Sequence, residues 1–163
     1  MSYIDYTLKW VLKNVLAEQK HHAHEHIVKF EDDSNPMVGY SEGHFISFIP
    51  KEKDVFKSEG TLTFRPFIKN CDGREIPDDY EVATIRAILP TIINKDKIQA
   101  IELEMQSNRV AYIDEKFYKI FEKDAYHIYV KSENMPVLIE NENHQIIGLI
   151  MPIKFRKKQI IEE

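Results

Sequence analysis

Three groups of residues have the types and spacing for binding or chemistry. Lys9, Lys13 and Lys20 fall within about 40° of one another at ~3.6 residues per turn, on a segment whose apolar periodicity predicts a helix over 4–20. Lys116, Lys119 and Lys123 fall within about 60° on a second predicted helix, about 114–123. Rows of ammonium groups with few acids among them suit an anionic surface such as a phosphate backbone, although a solvated helix face carries the same pattern. The second group is His21, His22, His24 and His26. Neutral imidazoles ligate zinc, copper and nickel, and on a strand His22, His24 and His26 would share a face. No acid or cysteine stands at a recognised ligand spacing, and Glu25 would point the other way. The run is therefore read as a helix-to-strand junction, and no metal is expected. The third group, Asp78, Asp79 and Glu81, could form an acid/base or cation cluster. An apolar run through Val82–Leu89, stopped by Pro90, makes them capping acids of a short helix, or else part of an irregular loop. No nucleophile–base pair is evident, so no catalytic residue and no cofactor is expected.

These groups need elements to hold them. Ile4, Leu8, Val11, Leu12 and Val15 give the first helix its core stripe, and Phe117, Ile120 and Phe121 the second. After the first helix, the stretches 26–30, 37–40 and 44–49 read as a three-strand meander, with turns at 31–36 and 41–43. After the second helix, 126–131, 136–140 and 145–155 read the same way. Between them, 61–68 reads as a strand whose Pro66 places it at an edge or at a bulge. Ile98–Gln106 alternates, with Ile101, Leu103 and Met105 on one face and Glu102, Glu104 and Gln106 on the other.

The order of helix then strands occurs twice, and short motifs recur with it. Tyr3-Ile4-Asp5 and Tyr112-Ile113-Asp114 open the two stretches. His26-Ile27 and His127-Ile128 start the strands, and Pro36 and Pro136 enter the next ones. Phe48-Ile49-Pro50-Lys51 and Ile150-Met151-Pro152-Ile153-Lys154 close them. The expected fold is α+β: two pseudo-repeated units of one helix and antiparallel strands in one domain, 1–163. The half-units are about 3–68 and 97–155, with a connector at about 69–96 and a tail at 156–163.

Composition bounds the function. The chain has 163 residues, 43% hydrophobic and 30% charged, enough for a sizeable core. A net charge of −5 argues against coating nucleic acid over the whole surface but allows one basic face. The single cysteine, Cys71, excludes an internal disulfide and fits a reducing cytoplasm. No apolar signal core or membrane-length run is present, so a cytoplasmic protein without a membrane is expected.

The stretch NRVAYIDEKFYKIFEKDAYHIYVKSENMPVLIENENHQIIGLIMPIKF resembles the second half of a DNA polymerase sliding-clamp domain. Its closing Gly148-Leu149-Ile150-Met151-Pro152-Ile153-Lys154 is similar to the Met-Pro strand that ends bacterial clamps, and SEGHFISFIPK and REIPDDY are also similar to clamp segments. The chain departs from the family in length, since it suffices for one of the six domains in a ring. The strand that should precede the first helix is at most Met1–Tyr3. The resemblance implies helices that line a hole, with Lys9, Lys13, Lys20, Lys116, Lys119 and Lys123 facing duplex DNA without reading bases. It also implies a homo-oligomer, a polymerase or other replication protein as partner, and a processivity factor or clamp mimic of a phage or other mobile element. A small protein–protein interaction or regulatory module with no nucleic-acid role is the alternative. An enzyme built on the histidine run or on Asp78 and Asp79 is a third class.

Overall fold

The computed structural model describes residues 1–21, 25–56, 62–69 and 71–154. Helix α1, Tyr3–Gln19, starts where the Ser2 hydroxyl accepts the Asp5 N–H, and it ends with His21 in the left-handed region at φ 56°. A meander follows: β1 Val28–Phe30, β2 Met37–Ser41 and β3 Phe45–Pro50. A 3-10 turn at Lys51–Lys53 and the short strand β4, Thr63–Arg65, come next. The long hairpin β5 Glu81–Ile93 and β6 Asp96–Met105 is followed by β7 Val110–Asp114 and helix α2, Glu115–Phe121. The second meander is β8 His127–Val130, β9 Val137–Glu140 and β10 Ile146–Ile150.

The strands form one mixed sheet in the order β4-β1-β2-β3-β10-β9-β8-β5-β6-β7, antiparallel except for the β1–β4 pair. The chain is thus α+β and mostly sheet. The two meanders meet at β3–β10, with Ser47 opposite Gly148. Both helices pack on one face of the sheet. Tyr3, Val11 and Val15 of α1 share a core with Tyr118, Ile120 and Phe121 of α2 and with Phe45, Ile49, Val137, Ile139 and Ile150 below them. Phe30, Ile46, Phe48, Leu138 and Leu149 form a second cluster on the opposite face. The sheet curls: Ile153, beyond β10, donates its N–H to the Tyr112 carbonyl of β7 at 2.7 Å. Phe121 then sits directly on Gly148, where an added Cβ would lie 2.6 Å from its ring.

Several sequence expectations need correction. The segment 82–89 is not a helix, and 69–96 is not only a connector, because β5 runs from Glu81 through Pro90 to Ile93. Val82, Thr84, Ile85, Ile88, Thr91, Ile92 and Ile93 are β-branched and favour an extended chain. Asn94 and Lys95, at φ 51° and 70°, form the tight two-residue turn into β6. Pro90 is tolerated because β5 pairs with β8 only at Glu81–Ala83, so its other side there is an edge among the described residues. The stripe of α1 is rotated from the expected one. Thr7 and Asn14 are buried, and Leu12 is exposed. The polar pair is satisfied locally: Thr7 Oγ1 bonds the Tyr3 carbonyl and Ser47 Oγ, both at 2.7 Å, and Asn14 bonds the Trp10 carbonyl and the Glu25 N–H.

The matched motifs also divide. Pro36 and Pro136 each precede the middle strand of a meander, β2 and β9. Tyr3-Ile4-Asp5 lies inside α1, whereas Tyr112-Ile113-Asp114 lies in β7, because Ser2 caps one helix and Asp114 the other. Matching Pro50 to Pro152 pairs Phe48 with Ile150, which belong to clusters on opposite faces. That match therefore does not hold face for face, since equivalent positions of a strand must share a face.

Candidate nucleic-acid interface

The core-facing side of α1 is set by Tyr3, Thr7, Val11, Asn14 and Val15, so Lys9, Lys13 and Lys20 stand opposite it, all exposed. In α2 the buried Tyr118, Ile120 and Phe121 turn Lys116 and Lys119 outward. The helix stops at Phe121, so Lys123 lies in the following turn, exposed and beside the chain's first residue. Its hydrogen bond there, with its charge, lowers the pKa of that ammonium. Both helices pack on the same face of the sheet, and the lysines of each row are exposed to solvent. The neighbourhood is not purely basic: Asp5 is exposed on α1, and Glu115 pairs with Lys119 at 3.5 Å. Tyr6, Leu12 and Leu16 also stand exposed among the α1 lysines.

Beside α2 lies a groove of about 890 Å³. Its walls include the tip of the β5–β6 hairpin, the first turn of α2 and the segment Met151–Lys154. Lys116 and Lys119 line it, joined by Lys97 and Lys154, which sequence reasoning did not select. The α1 lysines do not. At its edge the His44 ring lies on Phe117, with centroids 5.5 Å apart and planes 11° from parallel. Nδ1 of His44 bonds the Glu42 carboxylate at 2.9 Å. Lys116 Nζ stands 4.9 Å from the centre of the Phe117 ring. His44 and Phe117 are too far apart in the chain for spacing to link them.

The other candidate groups do not assemble. Of the histidine run, His22 and His24 lie outside the described residues; His21 and His26 are exposed. Among the described residues no three His, Cys, Asp or Glu side chains gather to hold a metal ion. Asp78 is exposed, Asp79 pairs with Lys131 at 2.7 Å, and Glu81 accepts the Ser107 N–H at 2.8 Å. These partners hold both carboxyls below their usual pKa: a hydrogen bond from Lys131 for Asp79, a backbone hydrogen bond from Ser107 for Glu81. None of the three caps a helix, because β5 begins at Glu81.

One buried polar cluster was not foreseen. Lys29, in β1, donates to Asp54 and to the Phe56 carbonyl, and the Tyr40 hydroxyl donates to the other Asp54 oxygen. Lysine is seldom buried without a partner, so its sequence position alone gives no warning. Among the described residues no helix is long and apolar enough to cross a membrane. Comparison with protein-family models, curated proteins and solved structures finds no match to this chain.

Proposed function

We propose that the protein is a clamp-like, sequence-independent DNA-associated protein whose α1/α2 side meets the phosphate backbone. The observation that carries this reading is that both helices lie on one face of a single sheet with their lysines turned to solvent. Lysines on rigid helices contact phosphates without reading base edges, and the acids that bring the chain to −5 discourage adhesion elsewhere. The mirrored order β1-β2-β3 against β10-β9-β8, each meander preceded by a helix, supports two related half-units. A homo-oligomer fits the same reading. Among the described residues β8 pairs with β5 only at Glu81–Ala83, and Ile85, Ile88 and Ile92 are exposed farther along the strand. Exposed apolar side chains along a strand are a surface on which another copy can dock. A ring of copies acting as a processivity factor for a polymerase, in a phage or other mobile element, is the fullest form of this proposal.

The test is fluorescence anisotropy with unrelated duplex sequences. Binding is expected to be weak and indifferent to sequence. For four lysine–phosphate contacts it falls about a hundredfold between about 50 and 200 mM salt. Changing Lys9, Lys13, Lys116 and Lys119 together to glutamate abolishes it. Binding that survives the fourfold change shows that the lysines are only a solvated face. The second reading, a protein-interaction module, is favoured by the exposed Tyr6, Leu12 and Leu16 on α1. It predicts no DNA binding even at low salt.

A further inference from the structure

We infer that the groove beside α2 takes an unpaired base of single-stranded DNA, stacked on the outer face of His44. The inference rests on the DNA reading and adds the strand form and the side chain that receives it. His44 is built as a platform. Phe117 backs one face of its ring, Glu42 holds both its Nδ1 and its backbone N–H, and 69% of the side chain remains exposed. A ring already held in place loses little freedom when a base stacks on it.

The cations complete the site. Lys97, Lys116, Lys119 and Lys154 line the same groove. Of the lining acids, Asp114 is occupied in capping α2 through the Lys116 N–H, and Glu115 is paired with Lys119. Asp96 also lines it, at the hairpin tip. Among the described residues Lys97, Lys116 and Lys154 have no carboxylate partner, so they are available to phosphates. Aromatic platforms beside tracks of cations are how proteins hold single strands without choosing sequence. A duplex keeps its bases stacked inward, so only an unpaired base can reach a platform set at the edge of a groove.

The experiment compares a short oligothymidylate with an abasic strand of equal length and charge, by anisotropy at low salt. The wild type is expected to bind the thymidylate about tenfold more tightly. His44→Ala erases that preference, and His44→Phe restores it. His44 is in an exposed turn, and the fluorescence of Trp10 checks that each variant is folded. Equal affinity of the wild type for both strands, or a preference that survives His44→Ala, overturns the platform and leaves the lysine reading standing. Displacement of the strand by micromolar thymidine monophosphate overturns the single-strand assignment in favour of a free nucleotide. Failure to bind any DNA overturns both.

Discussion

The two meanders that meet at β3–β10 each bury an ionisable side chain where their first two strands pair, and they partner it differently. In one, Lys29 stands opposite Tyr40; in the other, His127 stands opposite Glu140. Lys29 is wholly buried, and its counter-charge, Asp54, is brought from beyond β3. Glu140 is also buried, but it contacts His127 Nδ1 at 3.0 Å and His144 Nδ1 at 3.5 Å, both within its own meander, and His144 is exposed. The first arrangement fastens the segment 54–56 to the sheet; the second ties a meander to itself. A fully buried ammonium cannot touch a ligand from solvent, so the Lys29 cluster is structural.

The largest expected effect follows from that difference. Lys29→Met leaves Asp54 buried and without a cation, which costs about 3–5 kcal/mol. Replacing both, Lys29→Met with Asp54→Leu, recovers part of the loss: the uncompensated charge is gone, while the Tyr40 hydroxyl and the Phe56 N–H lose their acceptor. Urea unfolding followed by Trp10 fluorescence measures both. The same pair sets an acid dependence. Burial pushes the Asp54 pKa up, but hydrogen bonds from Lys29, Tyr40 and the Phe56 N–H, with the charge of Lys29, outweigh it and leave the folded pKa below the ordinary value. A depressed folded pKa gives stability that is present above the unfolded pKa, about 3.9, and is lost as pH falls through the folded value. The wild type should therefore lose this contribution below about pH 4, and the double variant should not. A cost below about 1 kcal/mol for Lys29→Met would mean that this pair is no tie at all.

A smaller effect is expected at the line where the halves join. Gly148→Ala forces the Phe121 ring away, since the new Cβ would sit 2.6 Å from it. Overpacking of this kind costs about 1–3 kcal/mol. Adding Phe121→Leu should return part of it. If Gly148→Ala is neutral by thermal unfolding, α2 is not seated on β10 as closely as described.

Much of this architecture was legible because local signals agreed with the final packing. Both meanders, the alternation of Ile101, Leu103 and Met105 in β6, and the Phe117, Ile120, Phe121 stripe lie where periodicity put them. β5 was missed because Asp78, Asp79 and Pro90 imitate helix punctuation, while the decisive turn, Asn94-Lys95, lies beyond Pro90. Leu12 was assigned to the core because apolar spacing says nothing of Thr7 and Asn14, which enter the core by hydrogen bonding. The exposure of the six lysines agrees with the sequence reading, but surface lysines are exposed for many reasons. The His44–Phe117 stack depends on the contact of the first meander with α2, which no spacing encodes.

The smallest effect on stability, and the sharpest division between the two functional readings, lies on the outer face of α1. Leu12 and Leu16 are 46% and 43% exposed, one turn apart, beside Lys9, Lys13 and Lys20. α2 carries no such leucines between Lys116 and Lys119. Changing both leucines to serine gives up partly covered area and some helix propensity, so the unfolding free energy should fall by about 1 kcal/mol. If α1 meets only phosphate, the variant keeps the salt-dependent DNA affinity of the wild type within about twofold, because the counterion term resides in the lysines. If α1 docks on a protein partner or a second copy, the leucines become buried in that contact. Each is then worth up to about 1.5–3 kcal/mol, and their loss weakens association more than tenfold. Sedimentation of the wild type and the double-serine variant across a concentration series, beside the DNA titration, separates the outcomes. Unchanged self-association with unchanged DNA binding leaves the leucines as isolated surface residues and removes the one observation that favours the interaction module.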